Sequence, residues 1–182
     1  ILITCRDRGG VSHVYRRQVT SLPLESEYDT TISPISIMWG CVAENTAIRM
    51  EDGSEKKIQD VKIGDRIRTR DGSAEVINIW KGEESNIIRL QTGGKNLYLT
   101  GNHPVLSREG WKRAEKMASM DAVALADGGY AQVDAVEKEY RPVTVYNLSC
   151  EGGSADSMIA EGVIVGNMEA QNNPGIFQEG NQ

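Results

Sequence analysis

The chain has 182 residues and a formal net charge of −6 at pH 7, with 26 acidic and 20 basic side chains. This length is enough for one domain with a hydrophobic core and some flanking chain. An acidic surface repels phosphate, and no apolar run approaches the roughly 20 residues of a membrane span, so neither nucleic acid nor a membrane is predicted as a partner.

Residues 1–40 are predicted to be a flanking segment, or the end of another domain. A polar, turn-rich run at 22–34 separates strand-like runs at 11–22 and 35–39. The segment contains no motif to which we assign a function. Because the chain begins with Ile1 and shows no signal peptide, we interpret it as a fragment or a processed product, and its cellular compartment stays open.

Strand signals dominate the central part of the chain. Runs of β-branched and aromatic residues predict strands at 74–80, 85–92, 95–100, 131–136, 143–149 and 161–166. Asp-Gly pairs favour hairpin turns because glycine tolerates positive φ, and they lie at 52–53, 71–72 and 127–128. Helical patterns are short, about one turn at 56–61 and two at 111–120. We therefore predict an all-β domain with few short helices.

The central part also contains an internal repeat. The stretch that begins at Gly64 resembles the stretch that begins at Met120, with Asp65 matching Asp121, 56 positions later. An Asp-Gly pair follows each aspartate at the same distance, and both stretches continue through a charged turn into another strand. Two copies of one supersecondary unit predict a fold of two pseudo-symmetric β subdomains rather than a solenoid.

The segment after this repeat differs in character. Residues 168–182 lack hydrophobic periodicity, and we predict a flexible tail. Three parts are thus expected: a flanking segment at 1–40, a β-domain at 41–167 and the tail.

The cysteine pattern argues against both disulfides and zinc. There are three cysteines, Cys5, Cys41 and Cys150, an odd number without regular spacing. No Cys-x-x-Cys or His-x-x-x-His pattern is present. We predict no metal and no cofactor.

Four residues form an uncommon combination at the borders and in the middle of the β-domain. Cys41 follows Gly40 at one border, Thr100 and His103 lie in the middle, and Asn167 stands at the other border. This arrangement suggests chemistry on the chain's own peptide bonds. The alternatives are a buried strand cysteine, an ordinary strand threonine, a satisfied core histidine and a turn asparagine.

These residues occur in blocks that resemble the Hint family, which includes inteins, bacterial intein-like domains and the processing domain of hedgehog proteins. The stretch 41–65 resembles the opening block, LTGNHPVL at 99–106 the T-x-x-H block, and 143–167 the two C-terminal blocks. The resemblance is nearest to bacterial intein-like domains. It implies a disc-like, horseshoe-shaped all-β fold in which both ends of the domain meet beside the histidine.

The resemblance also implies a reaction. The thiol of Cys41 would attack the Gly40 carbonyl in an N–S acyl shift, giving a thioester. His103 would hydrogen-bond and protonate the Cys41 nitrogen, and Thr100 would steady that amide or the oxyanion. Gly40 offers an unhindered carbonyl and tolerates strained backbone angles that would destabilise the scissile bond.

The C-terminal block departs from the family pattern. Gly166 stands where splicing members carry the histidine before the final asparagine, Asp156 stands at another common histidine position, and Met168 offers no nucleophile. We therefore expect little or no true splicing, and at most slow cyclisation of Asn167. Two further residues, Asn147 and Cys150, join Asp156 as second-tier candidates for proton relay or a local base, with purely structural roles as the alternative.

Two functional hypotheses follow. The first is a single-turnover autoprocessing domain whose substrate is its own flanking polypeptide and whose thioester is resolved by water or by an external amine or thiol. The second is a degenerate Hint fold that serves as a structural or binding module. The sequence leaves open which acceptor is used and whether the domain is active.

Overall fold

The computed structural model describes residues 2–6, 12–16, 40–153, 155–173 and 175–177. The chain divides into two units, Ile1–Ser36 and Ile37–Gln182. In the first unit, strands β1 (Leu2–Arg6) and β2 (Ser12–Arg16) form an antiparallel pair. The strand β2 falls within the strand-like run predicted at 11–22, whereas the run at 35–39 lies outside the described residues.

Almost all regular elements in the described residues of the second unit are strands. These are β3 (Val42–Ala43), β4 (Ala47–Arg49), β5 (Glu55–Lys57), β6 (Arg66–Thr69), β7 (Gly72–Thr92), β8 (Lys95–Leu99), β9 (Pro104–Ser107), β10 (Gly110–Arg113), β11 (Ala122–Ala124), β12 (Tyr130–Glu151), β13 (Ser157–Ala160) and β14 (Val163–Gly166). Two single 3₁₀ turns, Ile58–Asp60 and Ala114–Lys116, and one short helix, α1 (Met168–Asn172), accompany them.

All pairings between these strands are antiparallel in the described residues. The strand order is β5-β4-β13-β14-β9-β11-β12-β3-β8-β7-β6, with β10 paired to β9. The two longest strands, β7 and β12, also pair directly with each other from Glu75 opposite Glu151 to Thr92 opposite Val133. Three register shifts along this pairing let so long a ribbon bend and twist.

Burial along the strands follows from their position in the sheet. In β6 the residues alternate between exposed and buried, the pattern of a strand with one face on the core. In β13 and β14 every residue is buried, and these apolar strands are covered on both sides. One large cluster of buried side chains includes Ile48, Leu90 and Leu148, and it connects strands that lie far apart in the strand order.

The predicted two-fold repeat is confirmed in the backbone. The N–H of Gly64 donates to the carbonyl of Val76 at 2.8 Å, and the Val76 N–H returns a bond to Asp65 at 2.9 Å. In the second copy Met120 donates to Val133 at 3.0 Å, and Val133 returns a bond to Asp121 at 2.8 Å. The same turn is therefore hydrogen-bonded to the first part of each long strand.

Side chains repeat the same relation. Lys56 Nζ lies 2.7 Å from an Asp65 carboxylate oxygen, and Lys112 Nζ lies 3.0 Å from an Asp121 oxygen. The first residue of each 3₁₀ turn donates its N–H to an earlier carbonyl oxygen at 2.9 Å. Ile58 donates to Thr46 in the first copy, and Ala114 donates to His103 in the second. Thr46 therefore occupies the position in the first half that His103 occupies in the second.

Three local expectations need correction. The stretch predicted as two helical turns, 111–120, is mostly strand β10 and a 3₁₀ turn, because Trp111 and its neighbours pair with β9. The stretch 56–61 is likewise the end of β5 followed by a 3₁₀ turn. Cross-strand pairing outweighs the weak helix propensity of these short charged stretches. Helix α1 was not predicted at all, and it forms where the sequence indicated only a tail.

The repeated aspartates are expected to stabilise the fold to a similar degree. Asp121 also accepts a hydrogen bond from the Ala118 N–H at 2.9 Å, and Asp65 accepts one from the Lys62 N–H at 2.8 Å. Replacing either by alanine should lower the free energy of unfolding by about 1–3 kcal/mol, because each substitution leaves an N–H and an ammonium without their acceptor.

Urea unfolding of Asp65→Ala and Asp121→Ala measures this. The control is Asp134→Ala, since Asp134 is exposed on β12 and should change stability by less than about 0.5 kcal/mol. Equal stabilities for all three variants would contradict the shared structural role.

Candidate active site

The junction between Gly40 and Cys41 lies at the start of β3, between two long-range strand partners. Val42 pairs with Leu99 at the end of β8 on one side and with Tyr146 of β12 on the other. Cys41 is 5% exposed and packs in a small apolar cluster made of Ala43, Ile87, Tyr98, Val143 and Val145. The nucleophile candidate therefore sits inside the sheet rather than on its surface.

Burial sets the state of this thiol. Removal from water, with a smaller contribution from the carboxylate of Glu84, raises the pKa of Cys41 to about 12. The thiol is therefore protonated at neutral pH, and any attack by sulfur needs a group that accepts its proton.

Thr100 holds the backbone of Cys41 from the neighbouring strand end. The Cys41 N–H donates to Thr100 Oγ1 at 2.8 Å, and the Thr100 N–H donates to the Cys41 carbonyl at 2.9 Å. The Thr100 hydroxyl in turn donates to Asn102 Oδ1 at 2.9 Å, which leaves a lone pair for the Cys41 N–H. Thr100 is thus in contact with the amide that the sequence predicted it to steady.

His103 is fully buried just before β9, between the two ends of the β-domain. Burial lowers its pKa to about 4, and backbone groups of Gly40 and Gly166, close enough to favour the charged ring, oppose this in part. Neither ring nitrogen has a partner in good hydrogen-bond geometry among the described residues. Both ends of the domain therefore meet beside this histidine, but its ring is neutral at pH 7.

The predicted hydrogen bond from the Cys41 nitrogen to His103 is absent from this structure. That N–H is already committed to the Thr100 hydroxyl, which approaches along the direction of a strand hydrogen bond. The imidazole lies instead toward the backbone of Gly40 and Gly166.

The carbonyl oxygen of Gly40 accepts two side-chain amide groups. Asn147 Nδ2, from β12, lies 2.6 Å away, and Gln171 Nε2, from α1, lies 2.5 Å away. Other contacts fix the orientation of both amides, because Asn147 Oδ1 accepts from the Leu148 N–H and Gln171 Oε1 accepts from the Gly40 N–H. Two N–H donors therefore converge on the carbonyl of the predicted scissile bond.

Glycine at position 40 is required by space. A Cβ there would lie 2.8 Å from His103 Cα and 2.8 Å from Gln171 Nε2. Real Cβ atoms do not approach backbone atoms so closely. The absence of a side chain therefore lets the backbone at His103 and helix α1 pack directly against Gly40.

Asn167 caps helix α1. Its side-chain oxygen accepts the N–H groups of Glu169 at 3.1 Å and Ala170 at 3.4 Å, and its amide nitrogen donates to the Ala155 carbonyl. The side chain is fully buried. In this state the carboxamide oxygen caps helix α1 and the carboxamide nitrogen is bonded to the Ala155 carbonyl, so the catalytic role of Asn167 stays a prediction.

Two of the second-tier residues, Cys150 and Asp156, lie around Asn167, whereas the third, Asn147, contacts the Gly40 carbonyl. Burial and the neighbouring Glu169 raise the pKa of Cys150 to about 12, partly offset by the Asn167 side chain. The Cys150 N–H donates to a Glu169 carboxylate oxygen at 3.0 Å, and burial raises the pKa of that carboxyl group. Asp156 accepts the Asn167 N–H with its main-chain oxygen at 3.3 Å, while one carboxylate oxygen is buried without a partner among the described residues.

Two contacts at the site were not predicted from the sequence. The sequence analysis assigns no role to Asn102. Its place between Thr100 and His103 is nevertheless a signal that it lies at the site. Gln171 has no local signal, since it lies 131 positions after the glycine that it contacts.

The described part of the chain contains neither a cluster of three or more metal-ligating His, Cys, Asp or Glu side chains nor a helix of the length and apolarity needed to cross a membrane.

Comparison with known proteins identifies the family. The Vint model, described as a Hint-domain, matches residues 40–140, more than half of the chain. The chain therefore belongs to the Hint-domain family, as the sequence blocks predicted. Among curated proteins, no sequence matches the chain.

Solved structures of the intein type are similar in fold. A bacterial intein-like domain from Clostridium thermocellum has a TM-score of 0.66 at 21% identity, covering 71% of this chain and 100% of that chain. A DnaB intein from Synechocystis sp. PCC 6803 has a TM-score of 0.64 at 21% identity, covering 71% and 99%. The gp41-1 intein has a TM-score of 0.61 at 16% identity, covering 71% and 100%. The predicted all-β, Hint-type fold class is confirmed.

The buried neutral histidine should make stability depend on pH. The folded-state pKa of His103 is lowered from 6.5 to about 4, so the unfolded chain takes up a proton between these values while the folded chain does not. The contribution of His103 to the free energy of unfolding is complete above pH 6.5. It decreases by up to about 3 kcal/mol as the pH falls toward 4.

Urea unfolding at pH 7.0, 6.0, 5.0 and 4.5 measures the dependence. His103→Gln should show a shallower loss over this range than the natural chain, whatever its stability at pH 7. Parallel curves for the two proteins would contradict the assignment of a neutral, desolvated histidine.

Proposed function

We propose that this chain is an intein-like autoprocessing domain in which Cys41 performs an N–S acyl shift on the bond after Gly40. Membership of the Hint family and the intein-like fold support the general activity. The observation that carries the proposal is the Gly40 carbonyl, which two amide donors already polarise while Thr100 holds the amide on the other side of the bond. In this proposal the substrate is the chain's own flanking polypeptide.

The proposed step conserves atoms and charge. The Cys41 sulfur attacks the Gly40 carbonyl carbon and loses its proton, and the carbonyl electron pair moves to the oxygen. When that pair returns, the C–N bond breaks, and the electron pair of this bond remains on the Cys41 nitrogen, which takes up a proton. An amide and a thiol thus become a thioester and an amine, without any oxidant or cofactor.

Donors on the carbonyl oxygen stabilise this step most when charge develops there. A hydrogen bond from a preorganised amide strengthens as the carbonyl becomes an oxyanion, which lowers the barrier rather than merely binding the ground state. We assign this role to Asn147, whose oriented amide comes from the C-terminal part of β12, where that strand pairs with β7.

His103 is proposed to carry the proton from the thiol to the departing nitrogen. Burial makes the neutral ring a weak base in the resting site, so it accepts the thiol proton only as the sulfur attacks, and the same lowered pKa makes the protonated ring a strong acid toward the amine. The ring has no competing hydrogen-bond partner among the described residues, so it is available to turn toward Cys41 during the reaction.

The thioester is then resolved by water or by an external amine or thiol, with little or no true splicing. Three features support this: Gly166 replaces the histidine that would activate Asn167, Met168 is no nucleophile, and the Asn167 carboxamide is engaged as a helix cap. Residues 1–40 are accordingly the released flank and 41–167 the processing domain, with 168–182 as the C-terminal flank.

The second candidate is a degenerate Hint fold that serves as a structural or binding module. It is favoured by the resting state of the site, because the Cys41 thiol is 5% exposed and its pKa is raised to about 12. Such a thiol reacts slowly unless its proton is removed within the site.

Intact-mass spectrometry separates the two functions. Freshly purified chain is incubated at pH 7.5 with and without a small thiol, beside Cys41→Ala and the matched control Cys5→Ala. We expect a thiol-dependent cut after Gly40 in the natural chain and in Cys5→Ala, and none in Cys41→Ala. An uncut mass in every sample after long incubation would favour the module.

The oxyanion role of Asn147 is tested in the same assay. Asn147→Ala should cut about 100-fold more slowly, because one of two donors to the developing charge is lost. Asn86→Ala, an exposed asparagine of β7, is the control and should cut at the natural rate. Unchanged cutting by Asn147→Ala would remove this residue from the mechanism.

A further inference from the structure

We propose that Gln171, which lies beyond the β-domain on helix α1, is a catalytic residue for cleavage of the bond after Gly40, so that the C-terminal flank completes the N-terminal cleavage site. This inference rests on the function proposed above. It adds a donor from a segment that the sequence indicated only as a tail, and it links the two ends of the domain in one reaction.

The contact between Gln171 and Gly40 is two-way. Gln171 Oε1 accepts the Gly40 N–H at 2.6 Å, and Gln171 Nε2 donates to the Gly40 carbonyl oxygen at 2.5 Å. The first bond fixes which end of the amide faces the carbonyl, because only Oε1 can accept from an N–H. The donor therefore points at the atom on which negative charge develops.

Gln171 and Asn147 approach the same oxygen from different elements. Asn147 belongs to β12 and Gln171 to α1, so the carbonyl lies between two donors that the fold brings together from positions far apart in the chain. Two preorganised N–H donors on one carbonyl oxygen are the arrangement that stabilises an oxyanion.

Helix α1 is held firmly enough to preorganise this donor. Asn167 caps its first turn, Met168 and Ala170 are buried against the strands, and Glu169 accepts the Cys150 N–H. The Gln171 N–H donates to the Asn167 carbonyl at 3.3 Å, which places Gln171 one turn after the cap on the same side of the helix. A helix of five residues has little stability of its own, so these anchors determine its position.

This placement orders events at the two ends of the domain. A cut after Asn167 would separate α1 from its cap and remove a donor from the Gly40 carbonyl. Activation of the N-terminal bond therefore depends on an intact connection between Asn167 and Met168, and N-terminal cleavage is the first event. The weak C-terminal block of this chain preserves that connection.

The test compares rates of thiol-induced cutting after Gly40 in the natural chain, Gln171→Glu and Gln171→Met. Both replacements are close in size to glutamine, but a carboxylate and a thioether cannot donate to an oxyanion. We expect about 100-fold slower cutting in each. The control is Asn172→Ala, since Asn172 is exposed on the same helix and should leave the rate unchanged.

A pH series separates donation from a merely structural role. When Gln171→Glu is acidified, its side chain becomes a carboxylic acid and regains a donor, so its rate relative to the natural chain should rise as pH falls from 7.5 to 5. Gln171→Met has nothing to titrate, and its relative rate should stay constant. Circular dichroism and thermal melting of each variant establish that every cutting rate is measured on folded protein.

The outcomes distinguish this inference from the proposed function. If the natural chain cuts and both Gln171 variants cut within threefold of it, the role of Gln171 is overturned while the acyl shift stands. If Gln171→Glu and Gln171→Met are equally slow at every pH, the residue only positions the junction, and donation is overturned. If the natural chain does not cut, both proposals fail together.

Discussion

The antiparallel pairing of β7 with β12 is the constraint on which the rest of the structure depends. Each strand is more than 20 residues long, and the first part of each is hydrogen-bonded to the same turn in one of the two halves. Because β12 also pairs with β3, the far end of this ribbon brings Asn147 to the Gly40 carbonyl. The site is therefore assembled by strand register, and a one-residue slip would turn this side chain to the opposite face.

The groups at the candidate site are neutral at rest. Burial raises the pKa of the Cys41 thiol and lowers that of His103, so neither carries charge at neutral pH. The polarisation of the bond comes instead from amide and hydroxyl groups, which can be buried without the large desolvation cost of ions. Such a site is stable at rest, and in the proposed reaction charge would exist only while sulfur attacks and the amine departs.

Much of this arrangement could be predicted from the sequence, and the remainder could not for identifiable reasons. Alternating β-branched runs and Asp-Gly turns are local signals, so the strands and the repeat around Asp65 and Asp121 were visible. The block containing Thr100 and His103 located the site, but it could not say that the Cys41 N–H would go to the threonine alone. Helix α1 escaped prediction because five residues carry no periodicity, and its position comes from tertiary anchors.

Thr46 in the first half and His103 in the second half occupy equivalent positions but carry different side chains. Both residues supply the same backbone acceptor to a 3₁₀ turn, so the scaffold needs only the carbonyl and leaves the side chain free to vary. A duplicated unit can in this way keep the architecture in one copy while the other copy carries a reactive side chain. The proton transfer proposed for His103 would therefore use a structural position that the fold fills in any case.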